Sequence, residues 1–144
     1  MPKQFCRLLY HVVWSTKMRE KLIGEHYRGA LHDYMKTKIR QMDGIPYAVG
    51  GIANHVHCLV FIPPRLAVAE FIGNLKGASS HWVNHVAEPN GGFAWQSGYG
   101  LFTVSPGDQQ DVTDYVLDQE MHHRKGTLRE ELEITGDDGE STPA

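Results

Sequence analysis

The sequence predicts an α/β fold of the α+β kind, in which helices cover one face of an antiparallel sheet and a further helix approaches the other face. Four short runs rich in β-branched and aromatic residues are typical of strands. Longer segments between them carry apolar residues at three- and four-residue spacing, which is typical of helices. The resulting order is β-α-β-β-α-β followed by one more helix. Its first six elements form the split-βαβ arrangement, which is called ferredoxin-like or RRM-like.

The predicted strands are justified by their composition and by the residues that end them. Residues 5–15 are dominated by Val, Leu and aromatic side chains and predict a buried strand. Residues 45–53 and 55–62 follow one another closely and predict a hairpin, whose second strand ends at a Pro-Pro pair. Residues 98–105 (GYGLFTVS) predict the fourth strand.

The predicted helices follow from apolar periodicity. A first helix is expected over 18–42, with Gly44 as its stop, and a second over 67–86, followed by a loop over 88–92. A third is expected over 108–125, with Asp108 as its N-cap. Residues 127–134 predict a short additional helix.

One compact domain is expected over residues 1–134, because 144 residues with 41% hydrophobic content suffice for one core. Residues 135–144 are acidic and predict a flexible tail. Cys6 and Cys58 lie in apolar runs without CxxC spacing, so we expect buried, reduced thiols. No apolar run reaches the roughly 18 residues of a membrane span, and no signal-peptide pattern precedes the first strand. These features predict a soluble cytoplasmic protein without membrane contact.

Charge is distributed unevenly along the chain. The net charge of −3 argues weakly against a nucleic-acid binder. However, residues 1–40 carry nine Lys or Arg against three acidic residues, whereas residues 105–144 carry three against eleven. The basic N-terminal third could supply a surface for phosphates, although solvated helix faces would give the same distribution.

Two histidines separated by one apolar residue are the clearest chemical signal. His55 and His57 fall in a predicted strand, where alternate side chains point the same way. Val56 and Cys58 then point to the opposite side and can enter the core. The pair is a candidate for metal binding, and histidine pairs in strands also occur as ordinary polar neighbours.

Tyr115 and Gln119 lie one turn apart on the third predicted helix, so their side chains share a face. The acidic residues and histidines around them make this helix unusually polar for one that packs on a sheet. If this face meets His55 and His57, the result is a three-ligand metal site beside a tyrosine nucleophile. Such a site could cut a phosphodiester through a covalent protein–nucleic acid bond. The alternative is a half-buried packing tyrosine and a solvated glutamine.

Other classes of site are possible for the histidines and glycines of this sequence. A histidine-triad nucleotide hydrolase requires a third histidine at the position where this chain has Leu59, which excludes that class. His81 and His85 lie four apart on a predicted helix, but the adjacent Trp82 favours packing there. The glycines form no phosphate-binding motif. A non-catalytic RRM-like nucleic-acid-binding module and a zinc hydrolase of small phosphoesters remain open.

Several blocks of the sequence, in order, resemble the single-tyrosine HUH transposases of small insertion sequences. The likeness extends over roughly residues 8–133. The blocks are HVVWSTK at 11–17, GGI at 50–52 leading into HVH at 55–57, LKGASS at 75–80, WQSGYG at 95–100, and Tyr115 and Gln119 followed by HHRK at 122–125.

The resemblance implies a role for each residue of the candidate site. His55, His57 and Gln119 would bind a divalent metal ion, Mg²⁺ or Mn²⁺. Tyr115 would be the nucleophile that forms a 5′-phosphotyrosine with single-stranded DNA and releases a 3′-hydroxyl. The implied function is a metal-assisted transposase that cleaves and rejoins hairpin-bearing insertion-sequence ends. Family members are dimers whose sheets join edge to edge, so the resemblance also implies a homodimer that associates with the nucleoid when it is bound to DNA.

One position departs from the family pattern, and the DNA contacts rest on composition alone. Asn54 stands where the family often has Asp, so weaker support of the first histidine is expected. Trp95 or Tyr99 could stack on an unpaired base, and Trp95 could instead belong to the core. The basic residues that flank the proposed site, and that are expected to face phosphates or else solvent, are Lys17, Arg19, Lys76, Arg124 and Lys125.

Overall fold

The computed structural model describes residues 4–89 and 91–136; most of the predicted acidic tail, residues 137–144, lies outside the described residues. The strands are β1 (Leu9–Ser15), β2 (Ile45–Ile52), β3 (His55–Phe61) and β4 (Gly100–Val104), and the helices are α1 (Glu25–Gln41), α2 (Val68–Trp82), α3 (Gln109–Leu117) and α4 (Gln119–Lys125). The predicted order of elements is confirmed, with the last main helix in two pieces. Within the described ranges, no helix is both long enough and apolar enough to cross a membrane.

The four strands form one antiparallel sheet in the order β2-β3-β1-β4, which is the order of a ferredoxin-like sheet. β1 and β3 are therefore central, and β2 and β4 are the edges. The β2–β3 hairpin places Gly50 opposite His57 and Ile52 opposite His55. On the other side of β3, Val13 of β1 pairs with His57. The fold class predicted from the sequence is confirmed.

The main core lies between one face of the sheet and helices α1 and α2. Val56 and Cys58 of β3 are fully buried in it, together with Leu31 and Met35 of α1 and Leu75 of α2. Burying each large apolar side chain contributes about 1.5–3 kcal/mol relative to exposure. Because side chains alternate along β3, its two histidines point to the opposite face, as the pattern predicted.

Helix α3 packs against that opposite face over a small apolar cluster. The cluster consists of Ala48, Leu59, Val112 and Val116. Gly50 makes the close approach possible, since a Cβ at this position would lie 2.1 Å from the carbonyl oxygen of Val116. The absence of a side chain on β2 therefore lets α3 lie directly on the sheet, beside the histidines of β3.

The first helix begins at Glu25, later than the apolar periodicity predicted. Met18 and Arg19 adopt positive φ values of 58° and 56°, which a helix does not contain. The N–H of Ile23 donates to the carbonyl of Ala53, 2.9 Å away, so this segment is bound to the hairpin rather than to a helical turn. Ile23 is nevertheless buried, which explains why its spacing resembled that of a helix.

Other boundaries differ at the ends of elements. β1 begins at Leu9, and Phe5 of the predicted strand is exposed. α2 continues beyond Trp82 as a π-helical turn, Val83–Ala87. β4 is shorter than predicted and begins at Gly100.

The C-terminal part of the chain differs more from the elements predicted from the sequence. Helices α3 and α4 are separated at Asp118, whose ψ of 26° interrupts the helical geometry. The predicted helix over 127–134 is only a short 3₁₀ turn, Glu130–Leu132. Thr135, predicted to belong to the tail, is buried and accepts a hydrogen bond from the Arg19 guanidinium at 2.7 Å. The segment from 127 to 136 therefore packs on the domain.

Candidate metal centre and tyrosine site

The central strands place the two histidines in a buried, fixed position. His55 and His57 are 4% and 0% exposed, and they pair across β3 with Ser15 and Val13 of β1. The ring centroids of the two histidines are 5.1 Å apart. Because β3 has hydrogen-bonded neighbours on both sides, these imidazoles share a face and have little freedom to move apart.

Helices α3 and α4 bring Tyr115 and Gln119 over the same face. The Nε2 of Gln119 donates to the carbonyl of Tyr115 at 3.1 Å. The oxygen of the carboxamide therefore points the other way, and it lies 3.2 Å from the Nε2 of His55. The helix break at Asp118 does not separate the pair, so the predicted common face of Tyr115 and Gln119 exists in the structure.

Asn54 determines which nitrogen of His55 is available. Its Oδ1 lies 2.8 Å from His55 Nδ1, and because an amide oxygen only accepts, Nδ1 carries the proton. The Nε2 of His55 then has a lone pair that faces the oxygen of Gln119, which also has only lone pairs. Burial first, and the charge of His57 second, lower the pKa of His55 to about 4, so the ring is neutral at pH 7. The asparagine thus supports the first histidine through this contact.

A carboxylate that the sequence interpretation missed completes the group. Oε1 of Glu133 lies 3.3 Å from His57 Nε2 and 3.5 Å from His55 Nε2. Burial alone would raise the pKa of Glu133, but the hydrogen bond with His57 and the charge of His57 outweigh it and lower the pKa to about 2. Glu133 follows two other glutamates in an acidic segment, and nothing in the local sequence distinguishes it from them.

These atoms fit a divalent cation. Within the described ranges, His55, His57 and Glu133 are the one group of three or more histidine, cysteine or acidic side chains with ligand atoms close enough to share an ion. Ligands about 2.1 Å from Mg²⁺ lie roughly 3.0 Å apart when they meet at right angles. Three nitrogen–oxygen separations are close to that value: 3.2 Å from His55 Nε2 to the Gln119 oxygen, and 3.5 and 3.3 Å from His55 and His57 Nε2 to Glu133 Oε1. Where the lone pair of His55 Nε2 faces the oxygen of Gln119, a cation between them would stabilise the contact.

Tyr115 contacts this group through its hydroxyl. The hydroxyl donates to Oε2 of Glu133 and accepts from the N–H of Arg129 at 3.0 Å. The ring lies edge-on to His57, with 5.9 Å between centroids. Burial, and then the hydrogen bond to Glu133, raise the pKa of Tyr115 to about 12. The phenol is buried, but its oxygen lies at the polar centre rather than in the apolar cluster.

Three further histidines surround the site. His123 Nε2 lies 3.2 Å from His55 Nε2, and the His122 ring lies 4.7 Å from that of Tyr115. His122 and His123 thus contact different groups. His11 of β1 is fully buried, and its Nε2 lies 2.8 Å from Nδ1 of His57. The alternation of side chains along β1 could have placed His11 on this face, but only the strand register places it beside His57.

The basic residues singled out in the sequence have different surroundings. The ammonium of Lys76 donates to the carbonyls of Gln96, Ser97 and Gly98, so it binds the loop before β4. Arg19 contacts the buried hydroxyl of Thr135, as described above. Lys17, Arg19, Arg124 and Lys125 are exposed, whereas Lys76 is half-buried.

Trp95 and the pair His81 and His85 make packing contacts. Trp95 packs edge-on to Trp14, with centroids 5.6 Å apart, and its indole N–H donates to the hydroxyl of Ser79, which favours the core interpretation. His81 and His85 stack on each other with centroids 4.0 Å apart, and no acidic or cysteine ligand joins them among the described residues.

The chain is similar in sequence to known transposases. A family model described as "Transposase IS200 like" matches residues 4–119. The chain is 28% identical over 119 residues to the ISDra2 transposase TnpA of Deinococcus radiodurans, covering 78% of this chain and 84% of that protein. It is 31% identical over 71 residues to the transposase for insertion sequence element IS200 of Salmonella typhimurium, covering 49% of this chain and 47% of that protein.

Solved structures share the fold. A protein of Deinococcus radiodurans R1 described as a transposase superposes with a TM-score of 0.63 at 24% identity, covering 81% of this chain and 94% of that one. A REP-associated tyrosine transposase bound to a REP hairpin superposes with a TM-score of 0.61 at 14% identity, over the full length of both chains.

Proposed function

Because the chain belongs to the family of IS200-like transposases, as its sequence motifs indicated, we propose that it cleaves and rejoins single-stranded DNA at insertion-sequence ends through a covalent phosphotyrosine. Tyr115 is the nucleophile in this proposal, and His55, His57 and Gln119 are the metal ligands. Transposition is the family's function; the chemical steps and the residues that perform them are the proposal.

One observation carries it. A single carboxylate, that of Glu133, contacts both imidazoles through one oxygen and the hydroxyl of Tyr115 through the other. The Tyr115 hydroxyl and the two imidazoles are therefore close enough to contact the two oxygens of the same carboxylate. A phosphodiester, which also presents several oxygens around one central atom, could contact both in the same way.

A cation held by His55, His57 and Gln119, with Glu133 as a further ligand, would stabilise the charge that develops on the phosphate oxygens during cleavage. The residues of the chain supply the rest. Asn54 orients the first imidazole, and the Tyr115 carbonyl orients the carboxamide of Gln119. Both constraints hold the ligand atoms in place before any substrate binds, which reduces the cost of reorganisation.

The proposed cleavage step exchanges one bond at phosphorus and moves the phenolic proton. The Tyr115 oxygen bonds to phosphorus, and the bond from phosphorus to the 3′ oxygen of the preceding nucleotide breaks. The phenolic proton passes to the Glu133 carboxylate, which already accepts a hydrogen bond from it. The departing 3′ oxygen takes up a proton from water and leaves as a hydroxyl. Because a phosphotyrosine retains the energy of the broken bond, a 3′-hydroxyl can reverse the step, and this reversal joins strands.

The partners belong to the same proposal. The structural relative that carries a REP hairpin supports DNA with a hairpin as the ligand class. Lys17, Arg124 and Lys125 are exposed and available for phosphate contacts. We also propose a homodimer, for which β2 and β4 offer the free sheet edges, and a cytoplasmic location with association to the nucleoid through DNA.

The decisive experiment is covalent capture. The protein is incubated with single-stranded DNA carrying a hairpin and with Mn²⁺, and the products are separated on a denaturing gel. Wild type is expected to form a metal-dependent protein–DNA band, and Tyr115→Phe is expected to form none. Tyr34→Phe is the matched control, because Tyr34 stacks on Trp82 on the other side of the sheet.

Each other outcome points to a different class. DNA binding without a covalent band in wild type would indicate a non-catalytic RRM-like binding module. Release of product from a small phosphoester without any adduct would indicate a hydrolase. An adduct that persists in Tyr115→Phe would exclude Tyr115 as the nucleophile.

A further inference from the structure

We propose that His11 is a positioning residue for the cation site: it orients the His57 ring and accepts the Nδ1 proton that His57 carries when its Nε2 binds a metal ion. This inference rests on the proposed metal site and adds to it a residue outside the set of ligands. It is carried by the contact between the two rings and by the contrast between His57 and His55.

The His11–His57 contact is built into the centre of the sheet. His11 is 0% exposed, its Nε2 lies 2.8 Å from His57 Nδ1, and the two rings are nearly parallel, with centroids 5.0 Å apart and an interplanar angle of 7°. Phe102 of β4 lies 5.8 Å from the His11 ring.

The two candidate ligands differ in what supports them. His55 has an amide oxygen at Nδ1, and that oxygen can only accept. Its Nε2 is therefore always free to bind a cation. His57 instead has a ring nitrogen at Nδ1, and a neutral imidazole nitrogen can donate or accept. The tautomer of His57 is thus decided jointly with that of His11.

With both rings neutral, two arrangements satisfy the 2.8 Å contact. In the first, His11 Nε2–H donates to His57 Nδ1, and His57 Nε2–H donates to Glu133, so Nε2 cannot bind a cation. In the second, His57 Nδ1–H donates to His11 Nε2, and His57 Nε2 is free for the cation. The proton of His11 is then on its Nδ1, which is buried and has no hydrogen-bond partner in the described part of the chain.

A cation selects the second arrangement. His11 must accept from His57 for the cation to bind, and the buried N–H that this leaves unpaired holds the affinity roughly tenfold or more below that of a fully paired site. A side chain that cannot accept at this position would leave the His57 N–H unpaired as well. Removal of the acceptor is therefore expected to weaken cation binding further.

The test compares His11→Gln with His11→Phe by Mn²⁺ titration, using calorimetry or the loss of free Mn²⁺ signal in electron paramagnetic resonance. Gln can accept from His57, whereas Phe fills the same space and stacks on Phe102 without accepting. We expect His11→Gln to stay within a few-fold of wild type and His11→Phe to bind at least tenfold more weakly. A packing role predicts the opposite order, with Phe the better replacement.

A second measurement avoids the variants. Histidine ¹⁵N spectra of wild type with saturating Mg²⁺ are expected to show the His57 proton on Nδ1. A proton on Nε2, or wild-type Mn²⁺ affinity in His11→Phe, would overturn the inference. If wild type binds no cation, both the proposed metal site and this inference are wrong. If the affinity pattern holds but no DNA adduct forms, only the proposed function fails.

Discussion

Gly50→Ala tests whether the position of α3 on the sheet sets the geometry of the site. An alanine Cβ at this position would lie 2.1 Å from the carbonyl oxygen of Val116 and 3.0 Å from its carbonyl carbon. Ordinary contact begins near 3.4 Å. The sheet and α3 would therefore have to separate by more than 1 Å, and Tyr115 would move with the helix.

Two magnitudes follow from this displacement. Forcing an extra methyl group into a packed interface costs about 1–3 kcal/mol of unfolding free energy. Moving a catalytic group by about 1 Å can cost roughly 10²-fold in rate. We therefore expect Gly50→Ala to form the covalent DNA adduct about 100-fold more slowly than wild type, with a lower urea midpoint.

The control is Gly73→Ala, a glycine of α2 that has no atom within 4 Å of the position a Cβ would take. Alanine there removes the helix penalty of glycine and is expected to raise stability by up to about 1 kcal/mol without a change in adduct rate. Adduct rates at saturating Mn²⁺ and urea unfolding are measured for all three proteins. A Gly50→Ala protein with the wild-type rate and midpoint would refute the role given to the contact.

Three further outcomes are expected. Gly100→Ala places a Cβ 1.8 Å from the carbonyl oxygen of Ile134 and should displace the segment that carries Glu133. Difference titration at 295 nm should then show that the pKa of Tyr115 falls from about 12 toward 10, and an unchanged titration would contradict this. The pKa of His55 is lowered to about 4, so between pH 6.5 and 4 the unfolded chain binds more protons than the folded protein. The free energy of unfolding should therefore fall as the pH is lowered through this range. An equal urea midpoint at pH 7.5 and pH 5 would refute this prediction. Cys58 is fully buried, as expected, and burial raises its pKa to about 12, whereas Cys6, also expected to be buried, is only partly buried. A thiol reagent at pH 8 should therefore label Cys6 alone in the native protein and both cysteines in denaturant.

Features that depend on local periodicity were predictable from the sequence. Alternation along β3 placed Val56 in the core and His55 on the opposite face, and helical spacing placed Tyr115 and Gln119 together. These predictions needed only the pitch of a strand and of a helix, which residues near in sequence determine. The meeting of the two faces followed from the fold class, since the extra helix had one sheet face left to cover.

Features that depend on distant contacts were not predictable in the same way. The start of α1 was wrong because the Ile23 N–H bonds the carbonyl of Ala53 in the hairpin, which overrides a helical apolar pattern. Glu133 was missed because its role depends on the path of the segment from 127 to 136 across the sheet. His11 needed the β1–β3 register, which aligns whole strands rather than neighbouring residues.

The sheet order separates what is immobile in this molecule from what can adjust. The imidazoles stand on β3, which is hydrogen-bonded along both edges and covered on both faces, so their backbone has little room to shift. The phenol and carboxamide lie on two short helices that rest on only a few apolar side chains. Any change in the distance between these halves, over a reaction cycle or between relatives, is therefore expected to come from tilting of α3 and α4. In amide hydrogen exchange, these helices should open well before the central strands.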